Sequence, residues 1–97
     1  MNKKYELMLL VEPKETEVAS KSSMSQVVKY VKNLLLGVEI KEDYWGEREL
    51  AYKIGKNTRA LYTVLNFECD PTIAKNLPKG LNINDKIIRY LLTKLED

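Results

Sequence analysis

The sequence predicts an α+β domain in which a four-stranded antiparallel sheet carries two helices on one face. Three patterns lead there. Apolar residues alternate at period two through Tyr5-Leu7-Leu9-Val11 and Leu50-Tyr52-Ile54, and Leu61, Leu65 and Phe67 continue the alternation. Met24, Val27, Val28, Val31, Leu34 and Leu35 instead recur at helical spacing, one stripe for a core. Asp70-Pro71 is a helix start, a capping carboxylate followed by a residue suited to the first helical position. At 97 residues the chain is expected to form one domain over 1–97, near the lower end of what folds on its own core.

The first strand is expected over Lys3 to Val11. One of its faces is fully apolar, while the other is polar at Lys4 and Glu6 and apolar at Met8 and Leu10. Pro13 ends it, since proline supplies no ladder donor. A helix follows, roughly Thr16 to Leu36, with Thr16 or Glu15 at its start and Gly37 ending it in the left-handed conformation. Lys21, Ser25, Lys29 and Lys32 fall on its solvent side. The serines at 20, 22, 23 and 25 have no partner base and read as helix surface.

Val38 and Ile40 begin a second strand that is interrupted at Glu42-Asp43, bends or bulges at Gly46 and runs on to Ile54. Trp45 has no place in its alternation, so it caps the core at the bend or contacts another molecule. The turn GKNTR, with Gly55 and Asn57 suited to positive φ, folds this strand onto a third one reaching Phe67. The second helix begins at Asp70, buries Ile73, Ala74 and Leu77, and is stopped or kinked by Pro78; Gly80 then turns the chain. A last strand spans Lys86 to Leu95, with Ile88, Tyr90 and Leu92 on one face and Ile87, Arg89 and Leu91 on the other.

Strand, helix, strand, strand, helix, strand, joined by right-handed crossovers, places the first and third strands centrally in the order 4-1-3-2. That is the ferredoxin-like βαββαβ sandwich, whose bare sheet face and edges are open to partners. Many unrelated activities use it, so function has to come from the residues.

Composition narrows the choice. Hydrophobic residues make up 44% of the chain and charged ones 31%, which suits a soluble domain. A net charge of +2 permits a polyanionic partner without demanding one. No apolar run approaches a membrane span, and the lysine-rich start lacks the apolar core of a signal peptide, so a cytoplasmic location is expected. The lone Cys69 fits a reducing compartment. The chain has no histidine, and Gly37, Gly46, Gly55 and Gly80 are too dispersed for a phosphate-cradling loop. No catalytic set, metal site, cofactor or small-molecule substrate is therefore expected. Against that background, the hairpin from Gly46 to Phe67 stands out for its cations Arg48, Lys53, Lys56 and Arg59 and the aromatics Tyr44, Trp45, Tyr52 and Tyr62 in and beside it. Lys3 and Lys4 beside Tyr5 read as a solubilising terminus or as a phosphate contact.

Specific motifs go further. KKYELMLLVEP at the start, WGERELAYKI followed by a basic turn and YTVLNFE, and LNINDKIIRYLLTKL at the end run in order along nearly the whole chain. The most diagnostic positions are Gly46, Arg48, Leu50, Ala51, Tyr52, Lys53 and Ile54, supported by Ile87, Arg89 and Tyr90. In these the chain resembles the bacterial small-subunit ribosomal protein six (S-six) family. The resemblance implies a non-enzymatic role in the ribosome, binding the central domain of small-subunit rRNA together with ribosomal protein S-eighteen during platform assembly. It implies RNA-facing roles for Lys3, Lys4, Arg48, Lys53, Asn82, Asn84, Lys86 and Arg89. Trp45, Tyr52 and Tyr62 are then the candidates for the protein interface. A basic partner would supply phosphate neutralisation that a charge of +2 supplies weakly.

The chain departs from the family pattern in three places. Asn82 and Asn84 stand where members often carry basic residues, Pro78 interrupts a helix that members usually continue, and the chain ends at Asp97 without the C-terminal tail of many members. Two other classes share the expected fold. An RNA-recognition motif needs stacking aromatics on both central strands, where Glu6, Met8 and Val64 are poor substitutes. A small-molecule regulatory module would dimerise through its sheet edges.

Overall fold

The period-two alternation in the first run becomes strand β1 (Lys3–Val11), with Tyr5, Leu7, Leu9 and Val11 all buried on one side. In the computed structural model, which describes residues 1–95, β1 pairs antiparallel with β3 (Asn57–Cys69) and with β4 (Ile87–Lys94). β3 also pairs with β2 (Ile40–Ile54), so the order is β2-β3-β1-β4, the expected arrangement read from the opposite edge. The fold is the ferredoxin-like sandwich. The helix-side residues of β1 and β3 meet Met24, Val27, Val31 and Leu35 of the first helical segment and Ala74, Leu77 and Leu81 of the later ones in one core. The chain end at Asp97 lies outside the described residues.

Helix α1 spans Glu17–Leu34, and Thr16 caps it by accepting from the Ala19 amide at 3.1 Å. Its C-terminus differs from expectation. The amides of Leu36 and Gly37 bond back to the carbonyls of Asn33 and Lys32, a Schellman closure. The residue at the left-handed C′ position is Leu36, at φ 59°, with Gly37 also at positive φ. Ser20 and Ser23 are buried rather than on the surface, because they share the stripe of Met24 and Val27. Ser20 Oγ accepts from the Lys14 amide at 2.9 Å and so ties the incoming loop to the helix.

The hairpin turn consists of Gly55 and Lys56 alone, with Ile54 paired to Asn57. Gly55 takes φ 59°, while Asn57, expected at positive φ, starts β3 with an ordinary backbone. The bend at Gly46 is a bulge: Tyr44 faces Thr63 and Gly46 faces Tyr62, leaving Trp45 as the extra residue.

Pro78 divides the second helical region into α2 (Pro71–Lys75) and α3 (Leu77–Asn82). Gly80 does not turn the chain. It lies inside α3, buried against Leu34, where a Cβ would come within 2.5 Å of Leu34 Cδ1. The hydroxyl of Tyr30 donates to its carbonyl at 2.8 Å. β4 also carries an irregularity, since Val11 pairs with Ile87 and Leu10 with Arg89. The extra residue is Ile88, so Ile87, not Ile88, joins Tyr90 and Leu92 against the core.

Candidate nucleic-acid interface

The site is built by the hairpin. Leu61 pairs with Val11, the last residue of β1, so the β3 residues before Leu61 and their β2 partners project beyond the sheet. Within this extension Glu49 pairs with Arg59 and Ile54 with Asn57, which leaves Leu50, Ala51, Tyr52 and Lys53 opposite Thr58 alone. So large an excess on one strand bends it. The bent tip faces the side of the sheet away from the helices, where Leu50, Ala51, Tyr52 and Ile54 meet Met8, Leu10, Tyr62 and Leu91 around a cleft of about 360 Å³. Arg89 Nη1 of β4 donates to the Tyr52 hydroxyl at 3.1 Å across this cleft.

That face is thus not bare. Leu10 and Val64 point away from the helices, yet each is only 7% exposed. Trp45 lies there too, so it does not cap the core. Its ring stacks parallel to Tyr62, centroids 6.5 Å apart, and its Nε1 donates to Asp43 Oδ2 at 3.0 Å. The indole is 46% exposed but held at two points. Leu91 and Tyr52 are more exposed still.

The expected RNA-facing residues fall into two groups. Arg48, Lys53, Asn82, Asn84, Lys86 and Arg89 all belong to the end of the sheet from which the hairpin projects. Lys3 and Lys4 sit at the other end of β1, about 27 Å away at ~3.4 Å per residue. Lys86 is steadied by Gln26 of α1, whose Oε1 accepts from its amine at 2.6 Å. Asn84 Oδ1 accepts from the Lys86 amide and Asn82 Oδ1 from the Tyr90 hydroxyl. Both asparagine oxygens therefore fold the loop locally.

Among the hairpin cations, Arg59 differs. It pairs with Glu47 and lies 3.7 Å from Glu49. Among the described residues, Arg48, Lys53, Lys56, Lys86 and Arg89 make no ion pair, so their charge is available to an anion. Carboxylates are gathered instead around Tyr44, whose hydroxyl pKa is raised by burial and then by Glu17, Glu47 and Glu42. Burial also pushes the Cys69 thiol up, away from nucleophilic thiolate. Hydrogen bonds from the Thr72 side chain and amide hold the exposed Asp70 carboxyl below its usual range, the signature of a helix cap. No described helix is long and apolar enough to cross a membrane.

Comparison with known proteins decides what this arrangement belongs to. The family model described as ribosomal protein S6 matches residues 4–94. The chain belongs to the ribosomal protein S6 family. The small ribosomal subunit protein bS6 of Arthrobacter sp. (strain FB24) is 36% identical over 93 residues, covering 96% of this chain and 91% of the relative. That of Heliobacterium modesticaldum is 34% identical over 95 residues, covering 98% of each. The crystal structure of 30S ribosomal protein S6 from Thermotoga maritima superposes with a TM-score of 0.80 at 25% identity, covering 98% of this chain and 89% of that one. As an S6-family protein the chain is a structural, non-enzymatic constituent of the small ribosomal subunit, and it binds rRNA there. Its cytoplasmic location follows from that membership.

Sequence reasoning missed five residues of the site. Gln26 gave no signal, because it reaches Lys86 only across the helix–sheet junction. Lys56 is legible as a hairpin charge but carries no motif that assigns it a role. Met8, Leu10 and Leu91 help build the cleft; the apolar second face of β1 is the signal for Met8 and Leu10, and the alternation of β4 is the signal for Leu91.

Proposed function

We propose that the chain binds the central domain of small-subunit rRNA together with ribosomal protein S-eighteen during platform assembly. The observation that carries this reading is the gathering of Arg48, Lys53, Lys86 and Arg89 at one end of the sheet, unpaired by carboxylates among the described residues. Such charges hold phosphates, while the amide groups of Asn82 and Asn84 add weaker, neutral contacts. Lys3 and Lys4 form a second contact group at the far end of β1, so an RNA touching both groups runs along the sheet. Trp45, Tyr52 and Tyr62 present preorganised aromatic surface on the open face and serve the protein partner. With a net charge of +2, much of the phosphate neutralisation falls to that partner.

The test is binding to a central-domain rRNA fragment with and without S-eighteen across a salt series. Binding is expected mainly with the partner and to weaken as salt rises. Arg48→Ala or Arg89→Ala should each reduce the salt slope by about one counterion's worth, with the fold retained by circular dichroism. An unchanged slope removes that arginine from the contact. No binding under either condition by the folded protein defeats the reading.

A further inference from the structure

The contact between Arg89 and Tyr52 joins residues from the two surfaces that the proposed function treats separately, one facing RNA and the other facing protein. Resting on that reading, we propose that Arg89 is a switch held by the hairpin tip in the free protein and surrendered to an RNA phosphate on binding. The release frees the tip from the open face of the sheet.

Three observations support this. First, the described residues offer Arg89 no carboxylate, and its guanidinium bonds to a neutral phenol oxygen at 3.1 Å. A phosphate oxygen is a charged acceptor that can take two guanidinium N–H groups at once, a stronger bond than the phenol makes. The phosphate therefore wins the competition, and Tyr52 loses its tie to β4. Second, the backbone of the tip is weakly tied. Its ladder lapses between Glu49 and Ile54, so Leu50 to Lys53 are not registered against β3. Segments short of backbone pairing open at low cost. Third, the tip forms one wall of the cleft. Its apolar residues share that cleft with Leu10, Met8 and Tyr62, and a displaced tip opens it further.

Linkage then makes RNA capture and protein docking cooperative. A phosphate that opens the tip favours whatever partner binds the opened face, and the partner favours the phosphate by the same factor.

The experiment follows amide hydrogen exchange of the full chain by mass spectrometry, comparing the natural protein with Tyr52→Phe, each with and without the central-domain rRNA fragment. Without RNA, Tyr52→Phe should speed exchange in residues 50–54 by about three- to tenfold, the worth of one such hydrogen bond, and leave β1 unaffected. Bound to RNA, the natural protein should reach the same fast exchange. The variant should bind RNA severalfold more tightly, since its Arg89 has no competing acceptor to give up. RNA binding by the natural protein with unchanged or slower exchange at 50–54 overturns the switch and leaves the proposed function standing. If neither protein binds RNA alone but both bind it with S-eighteen, the switch falls and the proposed function stands; if neither binds under either condition, both fall. Trp45 is the only tryptophan of the chain, so a shift in its emission on RNA binding, present in the natural protein and absent in Tyr52→Phe, gives an independent reading. No shift in either counts against the switch.

Discussion

Two buried serines on the same helix have opposite consequences. Ser20 satisfies the Lys14 amide and reaches back to the Lys14 carbonyl at 3.4 Å, so removing its hydroxyl strands a backbone donor. Ser20→Ala should cost about 1–3 kcal/mol in denaturant unfolding. Ser23 Oγ is buried without a hydrogen-bond partner in the described structure. Ser23→Ala removes an unsatisfied group and improves helix propensity, so a gain of up to about 1 kcal/mol is expected. A loss on Ser23→Ala would mean that the hydroxyl has a partner after all. Polarity alone would put both serines on the surface. Their spacing from Met24 and Val27 held the opposite message, and that message prevailed because helix geometry decides which side chains turn inward.

Elements end and cross where particular residues permit it. Leu36 occupies the left-handed C′ position of α1, a conformation that costs an L-residue with a Cβ roughly 1–2 kcal/mol. It is 79% exposed, so its side chain recovers little of that through burial. Leu36→Gly should therefore stabilise the protein by about 0.5–1 kcal/mol, the relief of strain exceeding the entropy glycine loses on folding. Equal unfolding midpoints for the two proteins would show that the closure carries no strain. Gly80 poses the reverse problem. It permits close approach of α3 to α1, and a methyl there overlaps both terminal carbons of Leu34. Gly80→Ala gains about 1 kcal/mol of helix propensity against an overpacking cost of about 1–3 kcal/mol, so a net loss of about 1 kcal/mol is expected. Combining it with Leu34→Ala should show a favourable coupling in a double-mutant cycle, because the second change removes the obstacle. Additive losses would place the cause elsewhere. Reading Gly80 as a turn was reasonable beside Pro78, since both residues break helices in isolation. Only the crossing of two helices gives that glycine its purpose.

Across the whole molecule, β3 is the strand on which both sides of the protein depend. Phe67 on its helix side stacks on Tyr5 of β1 at 5.8 Å, pairs across to Ile40 of β2 and is 6% exposed. Phe67→Ala should cost about 3–5 kcal/mol of global stability; a loss under about 1 kcal/mol would contradict its place in the core. On the opposite side Tyr62 backs Trp45, and Val64 lies under the partial cover of the open face. Successive residues of this strand thus turn to the helix side and to the open face. The hairpin that it forms with β2 projects past the sheet, which accounts for the elongated 41 × 25 × 24 Å outline. It also explains why residues far apart in sequence, such as Arg48 and Arg89, reach one end of the molecule.

By itself the sequence determined the strand and helix order, the inward rows of β1 and β3, the cap at Asp70, a start for α1 at Thr16 or Glu15, and a bulge or bend at Gly46. Each is a local matter of periodicity or backbone preference, legible without knowing the neighbours. Its motifs also carried the family. Tertiary structure alone decided how the candidate site is assembled. The outward face of Trp45, the clasp between Tyr52 and Arg89, the support of Lys86 by Gln26 and the separation of Lys3 and Lys4 from the other cations all depend on strand register and hairpin bend. The excess residues at 50–53 and at Ile88 show why. Such irregularities change which side chains meet without disturbing local propensity, and they become visible only when a strand is laid against its partner.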